Sequence, residues 1–243
     1  MLEATAGEVF ALAERAFLTR FALRNNEEAS DVSITAWHNE VLGNRAVEAL
    51  KKNKFDARYF GTRDEATQFV LSLIKSGDKV GTGGSMTLTE LGLHDKVKQK
   101  GAVLLDHSDP SLSPEQKMEI RRQQLVCDVF LSGTNAVTLD GWLLNVDGTG
   151  NRVAAMTFGP KKVVIVVGTN KITEDLDAAL DRIRLKASPM NNKRLSLPNP
   201  CATTGVCEEC EGNTRICNIY SVLRRKPSAT DISVVVIGED LGY

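Results

Sequence analysis

The sequence has no excess of charge of either sign, few histidines and no apolar stretch of membrane-spanning length, and each shortfall removes a class of function. Its 30 lysines and arginines stand against 31 aspartates and glutamates, spread along the chain, for a net charge of −1. Counterion release from a nucleic acid needs a basic surface, so this balance predicts no nucleic-acid partner. The run Val163–Val167 falls far short of the roughly 20 residues that cross a bilayer, so it reads as a buried strand and no membrane span is expected. The N-terminus carries Glu3, Glu8, Glu14 and Arg15 where a secretion signal would place a basic segment, an apolar core and a small-residue cleavage site. The expected location is therefore cytoplasmic. His38, His94 and His107 have no partners at ligand spacing, and only His107, after Leu105-Asp106 at a strand end, is placed to reach a cleft.

What the chain does have is the composition of a folded domain. Apolar residues make up 42% and charged residues 25%, which argues against disorder. The length of 243 residues suits one sizeable core. The expected organisation is an N-terminal helical extension, residues 1–30, and one α/β domain, residues 31–243.

Segments of helical period alternate with short β-branched runs, the pattern of parallel strands joined by crossover helices. Helices are predicted over residues 3–23, 35–53, 62–75, 87–99, 113–125, 151–158 and 173–186. Strands are predicted at Ala57–Phe60, from Lys79, at Ala102–Leu105, Val126–Leu131, Lys162–Val167 and Ser233–Ile237. Thr62 with Glu65, and Ser113-Pro114 with Gln116, carry helix-start spacing. The fold class that follows is a mainly parallel, Rossmann-like sheet flanked by helices.

Two glycine-rich segments follow strands and open helices. In Gly81-Thr82-Gly83-Gly84-Ser85-Met86-Thr87, glycines admit a close anion and the helix start offers unpaired N–H groups, so Thr82, Gly83, Gly84, Ser85 and Thr87 are candidate ligands for a carboxylate or phosphate. A plain turn capped by Ser85 is the alternative. Glu90, one turn on, is a candidate base or nucleophile, or else a solvated helix-face residue. The second segment contributes Ser132, Gly133 and Asn135, then Asp147, Gly148, Thr149, Gly150, Asn151 and Arg152. It reads as a second anion cradle, with Asp147 a candidate catalytic carboxylate and Arg152 a bidentate contact. Asp140-Gly141 between them reads as a hairpin turn.

Cys201, Cys207, Cys210 and Cys217 form a C-x5-C-x2-C-x6-C array inside residues 199–218, interspersed with Gly205 and Gly212. Thiols stay reduced in the cytosol, so four in one short loop point to a soft metal centre. The spacing matches neither ferredoxin pattern and does not choose the metal. Cys127, within Leu125–Leu131, reads as a small buried hydrophobe.

The segments Thr82–Thr87 with Glu90-Leu91-Gly92, then Ser132–Arg152, then Asn199 to the terminal Gly238-Glu239-Asp240-Leu241-Gly242-Tyr243, closely resemble LUD-domain (lactate utilization) proteins. The likeness runs from about Trp37 to the end, and the cysteine array resembles that of short stand-alone members. The resemblance implies the fold shared by sugar-phosphate isomerases and CoA transferases. Gly133-Thr134-Asn135 through Asn145-x-x-Gly148-Thr149 is similar to the stretch with which methylthioribose-phosphate isomerase holds its sugar phosphate. That enzyme's Gly-Ala-Asp is Gly-Thr-Asn here, and the Asn135 amide can hydrogen-bond a substrate but cannot act as a base.

Lactate-utilization relatives work beside iron–sulfur partner proteins, so the resemblance favours an iron–sulfur cluster over zinc at the cysteines. Three functions follow as expectations. One is a component of lactate or 2-hydroxy-acid oxidation that binds a small anionic substrate. The others are a sugar-phosphate or acyl-CoA enzyme using Glu90 or Asp147, and a non-catalytic, metal-stabilised module.

Overall fold

The computed structural model describes residues 34–243; the expected extension, residues 1–30, lies outside the described residues. Residues 34–39 are helical, and residues 40–243 form one compact unit. In that unit α1 covers residues 40–52. Gly43, Ala46, Val47 and Leu50 are its buried positions, the i, i+3, i+4, i+7 stripe of a helix lying on a core.

The strands are β1 (Asp56–Phe60), β2 (Lys79–Thr82), β3 (Val103–Leu105), β4 (Val129–Gly133), β5 (Ala136–Thr138), β6 (Leu143–Asp147), β7 (Lys162–Gly168), β8 (Ile172–Thr173), β9 (Ile219–Leu223) and β10 (Asp231–Ile237). The helices after α1 are α2 (Arg63–Ser72), α3 (Met86–Glu90), α4 (Leu93–Gln99), α5 (Pro114–Gln124), α6 (Asn151–Thr157), α7 (Leu176–Arg182), α8 (Ser188–Arg194) and α9 (Cys201–Thr204). A π turn, Ile183–Ala187, joins α7 to α8. Among the described residues no helix is long and apolar enough to cross a membrane.

Six strands form a sheet in the order β1-β10-β7-β4-β2-β3, and every pairing in it is parallel. This is the expected α/β class. The side chains of β7 explain its uninterrupted apolar run: Val163, Ile165 and Val167 enter one core with α1 and α6, while Val164 and Val166 enter the other with α2, α3 and α4. A strand covered on both faces has no polar side to show. From β2 the chain steps out to β3 and then crosses to β4 on the other side of β2. The carboxyl ends of β2 and β4 therefore flank a topological switch point, where open α/β sheets bind ligands.

Several boundaries differ from the sequence expectation. The single helix predicted over 87–99 is two, because Gly92 adopts φ 62 and restarts the chain as α4. β4 begins at Val129, three residues later than predicted. Val126 stays exposed, and the Asp128 carboxylate turns the chain by accepting from Lys79 N at 2.8 Å and Lys161 Nζ at 2.7 Å. Thr173 belongs to β8, and the cap of α7 is Asp175, which accepts from Ala178 N at 2.9 Å. A second sheet, β8-β5-β6-β9, was not predicted at all. Its strands are two to five residues long, and β9 is half-exposed, so no apolar run announces them.

The β5–β6 hairpin turns at Asp140-Gly141 as expected. Gly141 has φ +76, and a Cβ there would run into the backbone of Ala49 in α1. Asn53 Nδ2 pins the turn from the other side, donating to Asp140 O at 2.7 Å and Gly141 O at 3.1 Å. Gly141→Ala should therefore destabilise the protein by on the order of 2 kcal/mol or more. Gly61→Ala, with nothing within 4 Å of its added Cβ, should stay within about 0.5 kcal/mol of the parent. Urea unfolding of the two variants checks this, and equal losses would show that the turn does not depend on the contact with α1.

Candidate functional site

The carboxyl ends of the parallel strands open into a cavity of about 460 Å³. The loop after β2 supplies Gly84 and Ser85, the end of β3 supplies His107, β4 supplies Gly133 and then Asn135, and the turn after β7 supplies Lys171. Asp147, Gly148, Thr149, Asn151 and Arg152 come from the end of β6 and the start of α6. The two glycine segments therefore share one cleft. Thr82, Gly83, Thr87, Ser132 and Gly150 lie behind this lining and shape it. Thr82, Thr87 and Ser132 are buried. Ser85 also caps α3, its hydroxyl accepting from Leu88 N at 3.4 Å.

Arg152 holds the two segments together. Its side chain is only 14% exposed. Nη1 donates to Asn145 Oδ1 at 2.6 Å and reaches Gly133 O at 3.5 Å; Nη2 donates to Val146 O at 2.6 Å and Asn135 Oδ1 at 3.1 Å. Nε stands 3.5 Å from Asp147 Oδ2. Burial lowers the guanidinium pKa and Asp147 opposes that shift. Gly83 makes room for the stem, since a Cβ there would sit 2.9 Å from Arg152 Cδ.

Asp147 lines the cleft, but its oxygens are committed to the loop. Oδ1 accepts from Thr149 N and Gly150 N at 3.1 and 2.9 Å, and Oδ2 from Val153 N at 3.3 Å. Glu90 is exposed and outside the lining, and its Oε2 accepts from Gly242 N at 2.8 Å. Asn135 is held at both ends. Its Oδ1 accepts from Val146 N at 3.0 Å as well as from Arg152, and its carbonyl accepts from Arg182 Nη1 at 2.6 Å. The amide Nδ2 is left as the end that can donate into the cleft.

Charge in the cleft is one-sided. Among the described residues, Lys117, Arg121, Arg152, Lys171 and Arg194 line it against a single side-chain carboxylate, Asp147. Sequence reading picked out only Arg152 among the five. Arg194 is oriented by Tyr243, its Nε donating to the phenol oxygen at 2.7 Å, and by Asn191. His107 stands 3.1 Å from Gln124 Nε2, and burial, followed by the charge of Arg121, pushes its imidazole pKa down.

Lys171 is 3% exposed. Burial and then the charge of Arg182 hold its amine at about 7 against an ordinary 10.5, with Glu90 pulling the other way. The signal for it was present in the sequence: Thr169-Asn170-Lys171 follows the apolar run of β7, and strand carboxyl ends are where ligands bind.

Of the four loop cysteines, Cys217 lines this cleft. Cys201 is buried in α9, and burial, then Cys217, Cys210 and Cys207 in turn, raise its pKa. Cys217 lines the cavity, and its thiol donates to Ser188 Oγ at 3.2 Å. As the thiols stand, no group of three or more Cys, His, Asp or Glu among the described residues is arranged around a common ion position. Polar staples hold the loop: Asn199 bonds Asn192 and Thr214, and Arg215 bonds the carbonyls of Cys210 and Cys217. Asn218 ties it to the second glycine segment, N to Asp147 O at 3.0 Å and Nδ2 to Gly148 O at 3.1 Å. Cys127, as predicted, is fully buried, and burial raises its pKa to about 11.

Two predictions follow from these environments. Arg152→Lys keeps the charge but not the fork that bonds four acceptors, and should cost about 2 kcal/mol or more in urea unfolding. Unchanged stability with lost anion binding would instead show the guanidinium serving the ligand alone. Lys171 takes up its proton near pH 10.5 when unfolded and near 7 when folded, so between those values the unfolded state binds more protons. Its amine therefore opposes folding fully below pH 7 and not at all above 10.5. Lys171→Met should raise the urea midpoint at pH 7, with the advantage shrinking as pH rises. An advantage independent of pH would contradict the burial of a titrating amine.

Comparison with known proteins places this geometry in a family. No curated protein matches the sequence. Among solved structures, a DUF162 family protein from Deinococcus radiodurans aligns with a TM-score of 0.47 at 11% identity, covering 82% of this chain and 98% of that one. The ribose 5-phosphate isomerase of Plasmodium falciparum aligns with a TM-score of 0.31 at 16% identity, over 46% of this chain and 52% of that one. The eIF2B beta of Chaetomium thermophilum aligns with a TM-score of 0.32 at 17% identity, over 47% and 44%. The LUD domain model matches residues 43–237, which span both glycine segments, Lys171 and the cysteine loop, and the chain belongs to the LUD domain family.

Proposed function

We propose that this protein is a component of the oxidation of lactate or a related 2-hydroxy acid to the keto acid, with a small carboxylate bound in the basic cleft and a metal centre at the cysteine loop. The observation that carries this reading is the position of Cys217, on the wall of the same cavity that Lys171, Arg194 and Arg121 line. A substrate carboxylate in that cavity meets cations on several sides with one carboxylate opposing it. Asn135 Nδ2 is available to a hydroxyl or carbonyl oxygen, and His107 lines the same cavity with its imidazole pKa pushed down by burial.

The donor set suits the metal. Cys201, Cys207, Cys210 and Cys217 would hold it, four thiols within one short loop suiting a soft metal. An iron–sulfur cluster bound there supplies one-electron transfer to an iron–sulfur partner protein, whereas zinc supplies only cross-linking. The cationic cleft suits a phosphate equally well, which keeps a sugar-phosphate or acyl-CoA enzyme as the second reading. That reading lacks a free carboxylate in the cleft, because Asp147 is bonded into its own loop and Glu90 to Gly242.

Anaerobic purification followed by metal analysis, visible spectroscopy and calorimetry with lactate, pyruvate and ribose 5-phosphate tests the proposal. The expected outcome is iron with acid-labile sulfide, lost in Cys207→Ser and Cys210→Ser, together with binding of the small carboxylates. Zinc without iron, with ribose 5-phosphate bound and both carboxylates ignored, would move the protein to the second reading.

A further inference from the structure

A lysine that is 3% exposed is an expensive way to provide a positive charge, since it loses most of its hydration there. Three arginines already stand around the same space. Arg152 and Arg194 line the cavity, and Arg182 approaches from α7. The surroundings of Lys171 do little to keep it charged. Its one hydrogen bond among the described residues is from Nζ to Thr87 Oγ1 at 3.0 Å, and Thr87 in turn donates to Leu241 O at 3.2 Å. Among the described residues no carboxylate comes within ion-pair distance of it, and Glu90 acts only from further off, with its Oε2 bound to Gly242 N. The C-terminal segment covers the amine so closely that a Cβ at Gly242 would stand 3.1 Å from Nζ. This is a lysine held away from water and counter-ions and beside other cations, yet at the edge of a cavity. Such surroundings turn an ammonium into a nucleophilic amine at neutral pH.

We propose that Lys171 condenses with the carbonyl group of a small 2-keto acid bound in the cleft to form an imine. The nitrogen lone pair attacks the carbonyl carbon, making the C–N bond and moving the C=O π pair onto oxygen; nitrogen gives up one proton and that oxygen takes one up. The resulting carbinolamine loses the hydroxyl together with the remaining nitrogen proton as water, leaving C=N. No electrons are exchanged with any other group, and hydrolysis reverses the step. The Thr87 hydroxyl takes one N–H and so orients the nitrogen, while Arg152 and Arg194 line the same cavity and contribute positive charge to it. An amine that titrates near 7 supplies the neutral form that this chemistry requires. The inference rests on the cleft binding small carboxylates, as argued above.

The test is to incubate the full-length protein with pyruvate and cyanoborohydride at pH 7, which reduces an imine to a stable secondary amine, and to map the adduct by peptide mass spectrometry. A single adduct on Lys171, formed at least tenfold faster than on any other lysine and suppressed by excess lactate, supports the proposal. Adducts spread evenly over surface lysines, or none, overturn it. Calorimetry with pyruvate on the same sample separates the two layers. Binding without an adduct at Lys171 overturns only the amine chemistry, and absence of binding overturns the carboxylate cleft along with it. The wild-type map is decisive even if Lys171→Arg, which should abolish the adduct, fails to fold.

Discussion

Burying the Arg152 guanidinium is the constraint on which the rest of the site depends. A guanidinium can leave water only where its N–H groups find acceptors, and removing its partners would strand a charge in a low-dielectric interior. Here the acceptors come from the end of β4, the loop after it, and β6 up to Asp147. Satisfying one side chain on α6 therefore fixes where two separate pieces of chain must meet that helix. The stem lies against Gly83, which has no Cβ to obstruct it, so the first glycine segment is drawn to the same point. Asn135 is locked by the same bonds, with its oxygen turned inward.

The parallel sheet supplies the frame for this hub. Its central strands β4 and β7 are buried on both faces, so chemistry collects where β2, β3, β4, β7 and β10 finish. The cations gathered there go largely unanswered by carboxylates within the cleft. An imbalance of that kind costs stability unless an anion completes it, and sites of this kind are where local rules of folding are commonly broken for function. Lys171 is the extreme case, since its burial opposes folding at neutral pH.

The cysteine loop is attached to the cleft through hydrogen bonds. β9 leaves the loop and pairs with β6, and Asn218 bonds to both Asp147 and Gly148 at the point where β6 ends. Ile216 packs so closely on Gly148 that a Cβ there would lie 3.1 Å from its Cα. Cys217 and Gly148 line the same cavity, so the loop and the second glycine segment share a wall. Asn199, Thr214 and Arg215 give the loop a polar scaffold of its own, beyond what the spacing of four cysteines implied.

The sequence by itself determined the elements with strong local signals. The Val163–Val167 run had to be a doubly covered strand, Ser113-Pro114 with Gln116 had to start a helix, and Asp140-Gly141 had to turn. Those signals rest on periodicity, capping and backbone conformation within a few residues, so they survive without tertiary context. The glycine segments were legible as strand-end loops for the same reason. Tertiary structure alone decided the use of their side chains. Arg152 became a structural hub, Asp147 and Glu90 became bonded to backbone amides, and Lys171, Arg194 and Tyr243 entered the cleft from segments up to 160 residues from the first glycine loop. The small second sheet was likewise invisible, because its short strands hold together only through partners distant in the chain. Protonation and charge balance depend on how much water is removed and which charges approach, and both are properties of the packed molecule rather than of any segment in it.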